Sequence, residues 1–497
     1  MPERSPTPTS LILTLILIVG STAAAGATDI SSVDTIGRLD RITHYVKQLE
    51  SRRWIDRNRL FGASRNLIAF ADRWPTLRAR LLDAAAGGAG LDTAAIHGPI
   101  STPSLQISRY AGFTQSQTST AWCGSSVLTF FNDTASEAKT MAALSGVTAV
   151  GFATSSDQGK GFAYQGAPPG GINFDQTLIG SPTVACTSAT QFFYSAIWLD
   201  TLNSVAGVAL ARSTEGGHSF SSPAVAVSKD ASTHLIDHDW LAIDASHSTI
   251  YTVYADLDYS GLTCGADPDT GSPIPRYAIE MVVSTDMGTT RSTPSIVEQV
   301  RADATSPWAA VMGPQVAIAP SGDLYVTYEA AGQNGGAATS RQIKIARSTD
   351  SGVTFTPPVV VAVVSPVGDG ADLQGLIRAN EFPSIAIGKS AKDSGFINLA
   401  WDDGGNAVPD SFSTTGSYAF SDIKMSVSRD HGDTWKTPIR VNTNAKGGGA
   451  LLTDQFEPAI AADTKGALAV CFYDRRRGAN NFQIDRECAK SFDGGTT

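Results

Sequence analysis

An all-β repeat protein, either a propeller or a solenoid, is the fold class this sequence predicts, and three observations carry that expectation. One eight-residue motif recurs six times at long spacing. Short β-rich runs separated by Gly, Ser and Asp turns fill the chain after residue 100. The part before them has a different texture, basic and helical in its apolar spacing.

The chain has 497 residues, 42% of them hydrophobic, which is enough for a large core in one domain or two. Its net charge of −10 argues against nucleic acid as a partner. Five cysteines without a Cys-x-x-Cys pair exclude a disulfide scaffold and a zinc ribbon. Charge is unevenly spread: residues 38–80 hold ten Arg and one Lys against four acids, a local +7 that leaves −17 elsewhere.

Residues 1–27 read as a signal peptide, with Arg4 before the apolar run Leu11 to Val19 and small residues after it. The run is about half of the roughly 20 residues a spanning helix needs. Cleavage is therefore expected, giving a secreted or periplasmic protein with no membrane span in the mature chain. Residues 28–100 form the basic helical segment and linker. Ile36, Leu39, Ile42, Tyr45, Val46 and Leu49 recur at three- and four-residue steps, and the arginines make a solvated face.

The motif is Ser-x-Asp-x-Gly-x-(Ser/Thr)-(Phe/Trp). It begins at Ser155, Ser213, Ser284, Ser348, Ser428 and Ser491, and its acidic positions are spaced by 58, 71, 64, 80 and 63 residues. Repetition at that period is a propeller or solenoid signature. As a hairpin turn the motif makes physical sense. Asp accepts backbone N–H bonds, Gly supplies the left-handed conformation, and the aromatic packs between sheets. Each repeat reads as four strands, with the motif between the third and fourth. The sixth motif stops at Thr497. Either Ser104–Ala111 supplies the missing outer strand or the chain is a fragment.

These repeats resemble Asp-boxes, also called BNR repeats, over residues 101–497. The resemblance implies a sialidase-like six-bladed β-propeller with four-stranded blades. Asp-boxes also occur in proteins without that activity, so the motif residues are structural.

If the motifs join strands three and four, the opposite face collects the loops entering each first strand and those leaving each second strand. Polar residues gather there: Asp237, His238, Asp239 and Trp240; Glu381; Asp454 and Glu457; Tyr473, Asp474 and Arg475. Paired acids can protonate a leaving oxygen and activate a nucleophile, as glycoside hydrolysis requires. The resemblance implies a Tyr nucleophile assisted by Glu, an acid/base Asp, and three arginines on a substrate carboxylate. That assigns Tyr473, Asp239, Glu381 and Glu457 as catalytic. It assigns Asp237, His238, Trp240, Asp454, Asp474, Arg475, Arg378 and Arg109 to substrate binding. The family's early Arg-Ile-Pro or Arg-Leu-Pro motif is missing; Arg109 in Ser-Arg-Tyr-Ala-Gly is the nearest candidate.

The expected function is thus a sialidase-like hydrolase of extracellular glycans or glycoconjugates, monomeric and without metal or cofactor. The rivals are a propeller that binds glycan or protein without cleavage, and a glycosidase of other specificity using two carboxylates. Cys471 and Cys488 are expected on neighbouring strands of the last repeat, and Cys123 and Cys186 occupy equivalent places in the first two. Both pairs suit disulfides in an exported protein, leaving Cys264 over; the alternative is that all five stay reduced.

Overall fold

A computed structural model describes residues 115–495 apart from 134–135, 137–147, 170–175, 201, 270, 304–307, 335–336, 369–371, 375–376, 411–415, 444–451, 478–480 and 482. The signal peptide, the basic helical segment, the Ser104–Ala111 strand and Arg109 all lie outside the described residues.

Every named element is a strand, and the strands fall into six antiparallel meanders, the blades of a propeller. Blade one comprises β1 (Gln115–Cys123), β2 (Ser126–Asp133), β3 (Val150–Ser155) and β4 (Ala163–Gly166). Blade two comprises β5 (Gln176–Cys186), β6 (Phe192–Asp200), β7 (Val205–Ser213) and β8 (Ala224–Asp230). Blade three follows with β9 (His234–Asp244), β10 (Thr249–Asp258), β11 (Arg276–Ser284) and β12 (Ser295–Arg301). Blade four has β13 (Trp308–Ile318), β14 (Leu324–Asn334), β15 (Ala337–Ser348) and β16 (Val359–Val364). A two-stranded ribbon, β17 (Asp372–Leu373) and β18 (Ile377–Arg378), precedes blade five. That blade contains β19 (Ser384–Ile387), β20 (Ile397–Pro409), β21 (Ser417–Ser428) and β22 (Ile439–Arg440). Blade six has three strands among the described residues, β23 (Gln455–Ala462), β24 (Leu468–Asp474) and β25 (Asp485–Ser491). The chain divides into two compact units, Met1–Asp239 and Trp240–Thr497.

In blades one to five the repeated motif joins the third strand to the fourth, as the sequence predicts, and in blade six it follows the third strand. In all six, the Gly N–H donates to the motif Ser Oγ at 2.8 to 3.0 Å. Two consecutive left-handed residues make each turn, for example Ser351 (φ 60°) with Gly352 (φ 85°). This is the backbone that two-residue hairpins favour. The Asp gathers the returning chain: Asp350 Oδ1 accepts the Ser348 hydroxyl at 2.8 Å and the Thr354 N–H at 2.9 Å. These bonds to the ionised form hold the Asp350 carboxyl down to about 2. The closing aromatic bridges blades. Phe220 lies edge-on at 5.6 Å to Phe130 and Phe152 of blade one and 5.0 Å to Tyr194 of blade two. Trp435 packs against the core formed by Tyr325, Ile343, Ile397 and Leu399.

A second repeat, in the first strands, positions the site. These strands bulge at a residue with positive φ: Gln117 (51°), Ser181 (51°), His238 (48°), Gly313 (61°) and Glu457 (53°). Pro182, Pro314 and Pro458 directly follow the bulge in blades two, four and six, and Pro383 follows Phe382 at the start of β19. Proline has no N–H to offer a ladder, so a bulge accommodates it. The neighbouring blade repairs the ladder. Val184 N–H donates to Ser119 Oγ at 3.1 Å, Ile385 N–H to Gln315 Oε1 at 3.1 Å, and Ile460 N–H to Ser384 Oγ at 3.2 Å. The bulge N–H itself is held in the same manner, Ser181 by Asn132 Oδ1 at 2.9 Å and Glu457 by Asp402 Oδ2 at 3.1 Å.

Gly313 is the one bulge residue without a side chain, and the packing explains it. A Cβ there would sit 2.4 Å from the Phe382 ring. Gly313→Ala is expected to lower stability by about 2 kcal/mol, chiefly through displacement of that ring. An unchanged urea midpoint would show that the ring gives way freely.

Both expected disulfides are present. Cys123–Cys186 ties β1 to β5, closing a separation of 63 residues, worth about 4 kcal/mol by chain entropy. Cys471–Cys488 joins directly opposed residues of β24 and β25, and Cys264 is free.

Candidate active site

Within the second unit, the bulge of β23 presents Glu457. This residue is exposed, yet its carboxyl is pushed up to about 7 by burial. Its backbone is anchored by Asp402 on β20, which is wholly buried and whose Oδ1 has no hydrogen-bond partner among the described residues. Burial drives the Asp402 carboxyl well above its usual range, with smaller pushes from Glu381, Glu457 and Asp454.

Tyr473, on the strand paired with that of Glu457, feels the Glu457 charge. It lies on β24 opposite Phe456, is half-buried, and its ring centroid is 5.5 Å from that of Phe456. Desolvation raises its phenol above 10, the Glu457 charge raises it further, and Arg486 opposes both. A phenol so placed does not ionise alone; it needs a partner to take its proton as a bond forms. The sequence offered Glu381 or Glu457 as the helper of Tyr473, and the charge that Tyr473 feels is that of Glu457.

Glu381 acts on the same Asp402 carboxyl but is fully enclosed. It is 0% exposed, and Arg341 of β15 grips it while also reaching Glu329 Oε1 at 3.3 Å. Its other oxygen accepts the Val367 N–H at 2.8 Å. Desolvation and the nearby Glu329 raise its carboxyl to about 8 against the pull of Arg341. A sealed, doubly held carboxyl fixes the start of β19 rather than meeting a ligand.

Asp454 is a second sealed hub. It accepts the Tyr418 hydroxyl at 2.8 Å, the Asn481 amide at 2.6 Å and the Ser421 N–H at 3.2 Å, with Arg475 Nη1 at 3.4 Å. Arg475 is itself 0% exposed, donates to Gln374 O at 2.9 Å, and lies 5.5 Å over the Phe456 ring. Asp474 is likewise buried, accepting Gln455 Nε2 at 3.2 Å and the Arg476 N–H at 2.7 Å. Arg378 is half-buried on β18 and donates Nε to Asn380 Oδ1 at 3.0 Å; Trp240 is half-buried on β9.

The first unit carries its own polar group at the bulges. Asn132 Nδ2 donates to Gln117 Oε1 at 2.5 Å, and Ser181 Oγ lies 3.4 Å from the same oxygen. His238 Nε2 is 3.5 Å from Gln117 Nε2, while its Nδ1 is 3.1 Å from the buried Asp237 carboxylate. Asp239 lies deeper, 3% exposed and bonded by Ser195 Oγ, and burial pushes its carboxyl up to about 8. Among the described residues no cluster of three or more His, Cys, Asp or Glu side chains is arranged to hold a metal.

Sequence reasoning put Asp402 among the polar residues leaving second strands without giving it a role, and it did not select Arg341, Tyr418 or Gln117. A signal for the bulges existed: Ser-Pro-Thr-Val, Gly-Pro-Gln-Val, Phe-Pro-Ser-Ile and Glu-Pro-Ala-Ile share one pattern, a Pro followed two residues later by Val or Ile. Aligning them would have marked the residue before each Pro.

No protein-family model and no curated protein matches the chain. Among solved structures it is similar to an α-L-arabinofuranosidase of Fusarium graminearum in complex with an iminosugar inhibitor. The TM-score is 0.48 at 11% identity, over 76% of this chain and 94% of that one. It is similar to an α-L-arabinanase of Penicillium chrysogenum complexed with arabinobiose, at TM-score 0.47 and 12% identity, over 79% and 98% of the two chains. For the Trypanosoma rangeli sialidase the TM-score is 0.43 at 11% identity, over 76% of this chain and 55% of that one. The shared feature is the fold, a six-bladed β-propeller of antiparallel meanders.

Proposed function

We propose that the protein is an exported glycoside hydrolase acting on extracellular glycans, with Tyr473 as nucleophile and Glu457 as its base. The observation that carries this reading is the pair itself. An accessible carboxyl with a pKa near 7 raises, by its charge, the pKa of a half-buried phenol on the paired strand. As the Tyr473 oxygen attacks the anomeric carbon, its proton passes to Glu457. The aglycone leaves as its anion. Water then attacks the same carbon, Glu457 returns its proton to the departing phenol, and the proton that water gives up passes through solvent to the aglycone anion. Two displacements retain the anomeric configuration. Two disulfides support an oxidising compartment.

A 2-deoxy-2-fluoro glycosyl fluoride is expected to trap the intermediate, adding one sugar mass to the Tyr473 peptide. Label on another residue, or turnover intact in Tyr473→Phe, would refute the assignment. Binding without turnover would favour the rival glycan-binding propeller, for which Gln117, Asn132 and Ser181 offer uncharged partners for hydroxyls.

A further inference from the structure

Resting on the reading of the Glu457–Tyr473 pair as a glycosidase site, we infer that the sugar it accepts is uncharged, a neutral pentose or hexose unit rather than an acidic sugar. Recognition of a sugar carboxylate calls for guanidinium forks turned toward the ligand. In the second unit three arginines are instead committed to the protein's own acids. Arg276 gives Nη2 to Glu280 Oε1 at 2.7 Å, Nη1 to Asp256 Oδ2 at 3.3 Å and Nε to Gln299 Oε1 at 2.7 Å. Arg341 is shared by Glu381 and Glu329. Arg475 is sealed beneath Phe456, with Asp454 as counter-charge.

Charge balance points the same way. These three cations meet five carboxyl groups, so each guanidinium already has its counter-charge within the protein. None of the three guanidiniums is left to offset Glu457, which must be ionised to act as a base. An anionic sugar would meet repulsion that crowding by protein strengthens, whereas hydroxyl groups suffer none. Arg486, exposed on β25 opposite Tyr473, is one guanidinium and not a clamp.

The test is a panel of 4-nitrophenyl glycosides with the purified mature protein. Neutral α- and β-pentosides and hexosides are set against an α-sialoside and a β-glucuronide. The expected result is turnover of at least one neutral glycoside with kcat/KM about 100-fold or more above either acidic one. Preference for an acidic glycoside overturns this inference and leaves the glycosidase reading standing. If no glycoside turns over, both are rejected, and a glycan array reports what the propeller binds instead.

Discussion

Glu457→Gln is expected to lower kcat/KM on an activated aryl glycoside by about 10²- to 10⁴-fold, the usual worth of a positioned proton acceptor. Gln matches Glu in size, and the side chain is exposed, so stability should move little. An aryl leaving group departs without protonation, which confines the loss to the attack and its reversal. The pH profile adds an independent readout. Because the Glu457 carboxyl is raised to about 7, the base is protonated below that pH. The wild-type kcat/KM should therefore climb roughly tenfold per pH unit up to about 7 and then level. That limb should be missing in whatever activity Glu457→Gln retains. A limb that survives, or a loss below tenfold, would assign the proton transfer to another group.

Asp454→Ala is expected to cost about 3–5 kcal/mol of folding stability, because it strands a wholly buried guanidinium. The carboxylate also accepts from Tyr418, Asn481 and Ser421, so three further donors lose their partner. Domains are stable by only about 5–15 kcal/mol, and such a loss should be plain in a urea titration. The second variant needed is Arg475→Met with Asp454→Asn, which removes both charges and keeps an acceptor for the donors. It should recover most of the loss. A double variant as weak as Asp454→Ala would show that the hydrogen bonds, not the buried charge, dominate.

Local signals in the sequence reported local structure faithfully. Ser348, Asp350 and Gly352 close their own hairpin within five residues, so the Asp-box could be recognised and its turn derived without knowing what surrounds it. The disulfides were readable for a related reason: equivalent positions in the repeats put Cys123 near Cys186 and Cys471 opposite Cys488. The site was harder. Asp454, Glu381 and Glu457 look alike in sequence, each an acid at the start of a first strand. What separates them is the partner brought in from far along the chain: Arg475 for Asp454, Arg341 for Glu381, the Asp402 carboxyl for the backbone of Glu457. Two of these acids are spent on holding strands in place and one is left accessible. Periodicity carries no information on that choice.

The first-strand bulges have an implication for how such a molecule changes its chemistry. Gln117, Ser181, His238, Gly313 and Glu457 share one backbone geometry while differing as amide, hydroxyl, imidazole, hydrogen and carboxyl. Where the hydrogen bonds are seen, the main chain there is gripped from the preceding blade, through Asn132 or Asp402 at the bulge and through Ser119, Gln315 or Ser384 beyond it. Each position behaves as a socket whose walls belong to a neighbour. A plug can then be exchanged without disturbing the socket, and reactive groups can be gained, lost or relocated one blade at a time while the architecture stays as it was.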